Sequence, residues 1–235
     1  LMLSANSIQD LIAALQDEST PFPPKLLYQL SDLTREDLQQ LGKAWLQVSL
    51  QRRRNLLSDL VELAEKDDLL LFESLGQLAL DDSDDEVVMR AIDLLFESPQ
   101  RRLAPVFRAL MKNQARKAEL RAAAANALGA YVYLGEIDKL PLEDLRAVEE
   151  DLLASYRQDA SSLVRRRALE SLGYSSRPEV PALIRAAAAQ DEDWLESALF
   201  AMGRSADQEW EEDVLENIDH ENLIVQCQAI HAAGE

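Results

Sequence analysis

Cys227 and His231 stand four residues apart near the end of this 235-residue chain. Four residues is one helical turn, so a thiolate and an imidazole at that spacing can meet. Nucleophilic catalysis also needs a base oriented by a third group, and the next turn offers only Glu235. With Ala229 on the core face, both reactive side chains project outward. Adding His220 gives a third possible zinc ligand but not the paired-cysteine spacing of a structural zinc site. The run Asp81-Asp82-Ser83-Asp84-Asp85-Glu86 invites calcium. A calcium loop wants Gly at its sixth position and a bidentate Glu at its twelfth, where this chain has Glu86 and Ile92. The run reads better as a turn whose acids cap the next helix. No Gly-rich phosphate loop is present, and 43 acidic residues single out no catalytic pair. The expectation is a protein that is not an enzyme and takes no cofactor or metal.

Charge points to recognition instead. Net charge is −19, from 24 basic and 43 acidic residues, which repels a phosphate backbone and argues against general nucleic-acid binding. The distribution is uneven. Residues 100–121 carry seven cations against Glu119, and Arg101, Arg108 and Lys112 fall within about 40° on one helical face. That strip suits an acidic peptide or a phosphate. Residues 190–222 carry twelve carboxylates against Arg204. Among them Glu209, Glu212 and Glu216 form a face suited to a basic protein partner. Trp194 and Trp210 fall in apolar registers, Trp210 with Val214 and Ile218 at four-residue steps, and read as core.

The elements that must position these residues are helices. Seven Gly and eight Pro in a Leu-, Ala- and Glu-rich chain favour helix throughout. Residues 1–33 form a helical segment broken at Pro21-Phe22-Pro23-Pro24, with helices expected over 7–16 and 25–30. Thr34 then caps a helix, with Asp37 three residues on. Helices follow over 51–66, 69–80, 86–97, 101–113, 117–134, 142–157, 162–172, 179–190, 193–202 and 207–218, with a last one from about 222. Ala168-Leu169-Glu170-Ser171-Leu172-Gly173 returns as Ala198-Leu199-Phe200-Ala201-Met202-Gly203. It returns again as Ala229-Ile230-His231-Ala232-Ala233-Gly234. Spacings of about 30 residues mark stacked helix pairs that bury their apolar faces only against neighbours. The expected fold is an all-α solenoid over 34–235, a right-handed superhelix of antiparallel pairs whose last repeat is incomplete. Gly129, Gly173 and Gly203 are expected just past helix ends, where left-handed backbone is common.

The units resemble bacterial HEAT repeats of the phycobilisome-lyase type. The resemblance rests on Leu120-Arg121-Ala122-Ala123-Ala124-Ala125-Asn126-Ala127-Leu128-Gly129, on Leu163-Val164-Arg165-Arg166-Arg167 running on to Gly173, and on Arg177-Pro178-Glu179-Val180-Pro181. Arg121 and Arg165 match a family arginine, while Val88, Leu195 and Gln226 replace it elsewhere. The resemblance implies a protein-binding scaffold whose second helices line the concave surface. Because the family includes chromophore lyases, it also implies an alternative, a bilin-handling accessory protein. Apolar runs are too short to span a bilayer and no secretory signal opens the chain. One cysteine fits a reducing cytoplasm. Val225, Ala229, Ile230 and Ala233 form an apolar stripe through which the C-terminal end is expected to self-associate or to continue into a longer chain.

Overall fold

The computed structural model describes residues 8–31, 33–96 and 98–235. Helix accounts for 71% of the chain, and no strand occurs among the described residues. Ser7 and Glu97, placed at helix ends by the sequence, lie outside the described residues. The chain divides into two compact units, one up to Ser98 and one from Pro99 onward.

The first unit contains α1 (Ile8–Gln16), α2 (Pro24–Leu27), α3 (Arg35–Trp45), α4 (Leu50–Ala64), α5 (Glu73–Ala79) and α6 (Asp85–Leu95). Local chemistry sets their starts. Thr34, Ser49 and Asp84 each accept the backbone N–H three residues on, which satisfies one of the orphan donors of a helix N-terminus. The segment expected as helix from Leu69 is not helical before Glu73. Asp67 takes the Leu69 N–H in a local turn, and Leu69 and Leu71 stay exposed.

The second unit contains α7 (Ala104–Lys112), α8 (Ala118–Glu136), α9 (Leu142–Gln158), α10 (Ser162–Leu172), α11 (Val180–Ala188), α12 (Glu192–Ser205), α13 (Glu211–Glu216) and α14 (Leu223–Ala232). Pro105 and Pro181 sit in the first turns of α7 and α11, where their missing N–H costs nothing. Here α8, α10, α12 and α14 pack successively on one another. Each intervening helix packs chiefly against the member of that row that follows it. This is the stacking of an α-solenoid. Leu128, Leu169 and Leu199 are fully buried in the row. Trp194 and Trp210 are buried as their registers require. The helix expected over 207–218 is shorter than its apolar period, a single 3-10 turn (Gln208–Trp210) followed by α13.

The repeat glycines have a different role from the expected one. Gly129 and Gly203 lie inside α8 and α12, Gly173 caps α10 with φ −53°, and no described glycine has positive φ. They mark close helix crossings. A Cβ on Gly173 would stand 2.7 Å from the Ala201 carbonyl oxygen, and one on Gly203 would stand 2.9 Å from the Ala232 Cα. A Cβ on Gly129 would stand 3.0 Å from Ser171 Oγ. Each glycine therefore meets the small residue two positions before the next glycine of the repeat. The motif repeats because the row of first helices needs that approach, not because the chain turns there.

Candidate interaction surfaces

The cationic strip faces acids. Arg108 Nε and Lys112 Nζ both donate to Asp151 Oδ2, the latter at 2.7 Å. Arg101 pairs with Asp144 and lies 3.6 Å from Glu143. All three acids belong to α9, so the strip meets an opposite charge on the next helix of its kind. The pattern continues. Arg177, just before α11, bonds Glu150 and Glu179. Arg185 on α11 pairs with Glu209 and stacks on the Trp210 ring, 4.7 Å from its centroid. Charge sign thus alternates through α7, α9, α11 and the 3-10 turn that leads into α13. Such pairs contribute about 0–1 kcal/mol each when exposed, but together they cancel the local field.

The alternation leaves a remainder on α13. Of the three acids marked by the sequence, Glu209 is paired with Arg185, while Glu212 and Glu216 are exposed and bond no cation among the described residues. Residues that share a helical face at four-residue spacing with like charge repel one another weakly, so these two side chains favour a cation from outside.

A second group lies along the first-helix row. Tyr133 and Tyr174 rings stand 5.3 Å apart, and the Arg204 guanidinium sits 4.8 Å from the Tyr174 centroid and 4.3 Å from that of Phe200. Phe200 in turn stacks on His231 at 6.4 Å. Burial holds the Arg204 pKa below the usual arginine range despite the opposing effects of Tyr174 and Glu170. Its Nη1 donates to the Glu170 carbonyl at 3.0 Å. The Glu170 carboxylate is itself buried and accepts from Arg167 and from Ser197 Oγ, at 2.7 Å each. Glu149 is fully buried and accepts from Ser175 and Arg146.

Two buried knots escaped the sequence reading. In the first unit Arg53 Nη1 and Trp45 Nε1 both donate to Asp82 Oδ2, the latter at 2.8 Å. In the second, Arg121 pairs with Asp159. Burial alone would raise the Asp159 carboxyl, but bonds from Arg121, Ser161 and Gln114 hold it below the usual carboxylate range. The acidic run at 81–86 serves the first knot and its helix: Asp84 caps α6 and takes two bonds from Arg54.

The remaining candidates do not converge. Cys227 is exposed, whereas His231 faces Phe200 and lies 3.8 Å from Glu235. His220 Nδ1 accepts the Asn222 N–H. Among the described residues no three His, Cys, Asp or Glu side chains are placed to hold a metal, and no helix is long and apolar enough to cross a membrane. In the C-terminal stripe, Val225 and Ala229 turn inward, while Ile230 and Ala233 are exposed, as are Leu223 and Ile224.

The chain matches no protein-family model, and no curated protein matches it in sequence. Among the solved structures it resembles is a designed armadillo repeat protein, 18% identical, with a TM-score of 0.40 over 97% of this chain and 99% of that one. So remote a likeness carries no argument, and the solenoid is read from the chain's own packing.

Proposed function

We propose that this chain is a non-catalytic scaffold that binds a protein partner over its solenoid surface, and that the partner's contact is basic and meets α13. One observation carries the reading. Of the two charged surfaces, the strip at Arg101, Arg108 and Lys112 is matched by α9, while Glu212 and Glu216 on α13 bond no cation among the described residues. A face already neutralised offers a partner little electrostatic gain. An unmatched one attracts and steers an opposite charge.

The test reverses Glu209, Glu212 and Glu216 to Lys and compares partner capture from lysate across a salt series. Capture by the native chain is expected to weaken as salt shortens the Debye length to about 8 Å at physiological strength. The reversed chain is expected to lose those captured proteins. The same proteins with the same salt dependence in both chains would remove α13 from the reading and return the search to the stacked row at Tyr174, Arg204 and Phe200.

A further inference from the structure

The carboxylates of α13 border a cavity. It lies between the end of α12, the start of α13 and the end of α14, and its volume is about 320 Å³. Trp210, Met202 and Val214 supply large apolar lining. Gly203, Ala206 and Ala232 leave the space between them open because none carries more than a methyl group. Ala206 takes a left-handed turn (φ 48°) at the end of α12, which redirects the chain into the 3-10 turn before α13. Glu211, Asp207 and Glu235 are exposed and belong to the lining, so the mouth of an apolar cavity carries acids.

An open trough adjoins it. The trough is lined by Glu209, Glu212 and Glu216, and it shares Gln208, Glu211 and Leu215 with the cavity. Leu215 is half exposed at this shared wall. Apolar depth and acidic rim together select a partner of mixed character. An apolar side chain without neighbouring cations would gain burial but leave the carboxylates unmatched. A purely cationic segment would leave the apolar cavity filled with water.

We propose that cavity and trough form one docking site for a basic amphipathic helix, with a bulky apolar side chain in the cavity and Lys or Arg on the next turns against Glu212 and Glu216. The apolar side chain supplies burial in a pocket, the feature of interface hot spots, and the cations supply orientation and encounter rate. The proposal rests on the reading of α13 as the partner-binding face and adds what that partner must carry.

The probe is a fluorescein-labelled helical peptide with Lys at i, i+4 and i+7 and one Leu on the adjoining face, titrated against the full chain by anisotropy. Two control peptides replace the Leu with Ala, or the Lys residues with Glu. Leu→Ala is expected to weaken binding by about tenfold or more, as loss of a buried side chain does. On the protein, Ala233→Phe narrows the cavity from an exposed position, and Leu215→Gln makes its half-exposed wall polar. Both are expected to weaken the Leu peptide toward the level of the Ala peptide at unchanged melting temperature. Equal binding of the Leu and Ala peptides, or no effect of either cavity variant, overturns the site while leaving an acidic docking face intact. No binding of any peptide overturns it as well, and the lysate comparison then judges the acidic face separately. If sedimentation instead shows a second copy of the chain bound, and Ala233→Phe dissolves that dimer, the occupant is the protein itself and the peptide assignment fails.

Discussion

In the first unit Arg53 and Trp45 converge on Asp82, whereas in the second Arg121 and Gln114 converge on Asp159. Both aspartates also hold the backbone N–H two residues ahead, that of Asp84 before α6 and that of Ser161 before α10. The same joint therefore locks a first helix to the loop that starts the next one. The units differ in what lies between joints. In the second, the repeat glycines Gly129, Gly173 and Gly203 meet backbone or a small residue of the next helix in the row, whereas Gly135 meets the Leu145 side chain. In the first, a Cβ on Gly42 would meet only the Leu78 Cδ1, at 3.2 Å, and one on Gly76 would come closest to Leu95 Cγ. The knot fixes where a pair begins. The small-residue ladder fixes how closely successive pairs stack.

Breaking the knots should produce the largest effects. Asp159→Ala leaves the Arg121 side chain, 6% exposed, with an uncompensated charge. Removing one member of a buried pair costs about 3–5 kcal/mol. Asp82→Ala strands the Trp45 indole N–H as well as Arg53, so its cost is expected to be at least as large. Urea unfolding, read by hydrogen exchange in the helices flanking each knot, measures both. A loss below about 1 kcal/mol in either variant would mean that the pair is as weak as a solvated one.

The ladder sharpens the comparison, because the same substitution should change sign between the units. Gly173→Ala pushes a methyl group into the Ala201 backbone, which cannot swing aside, and overpacking of this kind costs about 1–3 kcal/mol. Gly42→Ala lies on the exposed side of α3 against a flexible leucine end, so the helix-propensity gain of roughly 0.5–1 kcal/mol should survive. Melting curves decide. If Gly173→Ala is neutral, the helices slide and the ladder does not set the stacking.

Much of this was legible in the sequence because it is local. Thr34 caps α3 through the Asp37 N–H as its spacing predicts, and α10 spans Ser162–Leu172 as the apolar period predicts. The glycine register also identified the repeat, although its cause was misassigned. A glycine after an apolar stripe signals a helix end and a close crossing equally well, and only the neighbouring helix separates them. Arg101, Arg108 and Lys112 are grouped by their spacing, but nothing in the sequence analysis joined them to the acids of α9 that meet them. The signal was present: Arg101–Asp144 and Arg108–Asp151 share an offset of 43 residues. Glu149 and Glu170 left no such trace. A buried glutamate held by serines and arginines looks like any surface acid until the partner helix is in place.

Acid should separate the units next. The Asp159 carboxyl is held below its usual value, so it contributes stability above the unfolded pKa of about 3.9 and loses it as pH falls through the depressed folded value. In the first unit Asp84 behaves likewise through Arg54, but burial raises Asp93 and Asp59. Those two cost stability at neutral pH and return it as pH falls through their raised folded values. On acidification from pH 5 toward 3, hydrogen-exchange protection should therefore fall first in the second unit. Asp93→Asn should remove part of the first unit's compensation and bring the two profiles together. Profiles already coincident in the native chain would show that these carboxyls do not govern the acid response.

The smallest effect expected is at a matched pair of surface bridges. Arg54–Asp84 and Arg108–Asp151 have nearly equal exposure, 30% and 17% against 28% and 18%. Burial therefore cannot distinguish them, but geometry can. Arg54 grips Asp84 through two nitrogens, at 2.9 and 2.6 Å, and that carboxylate also caps α6. Arg108 reaches Asp151 through Nε alone and shares one oxygen with Lys112, which can hold that carboxylate after Arg108 is removed. Arg108→Gln is expected to cost a few tenths of a kcal/mol and to become undetectable in high salt. Arg54→Gln should cost more than Arg108→Gln and keep part of that loss in salt, because a forked charge-assisted pair has geometry as well as charge to lose. Chemical denaturation of the two variants in urea, at low and high sodium chloride, makes the comparison. Equal and equally salt-sensitive losses would mean that the fork adds nothing to charge alone, and that the surface bridges of both units serve only to cancel the field between neighbouring helices.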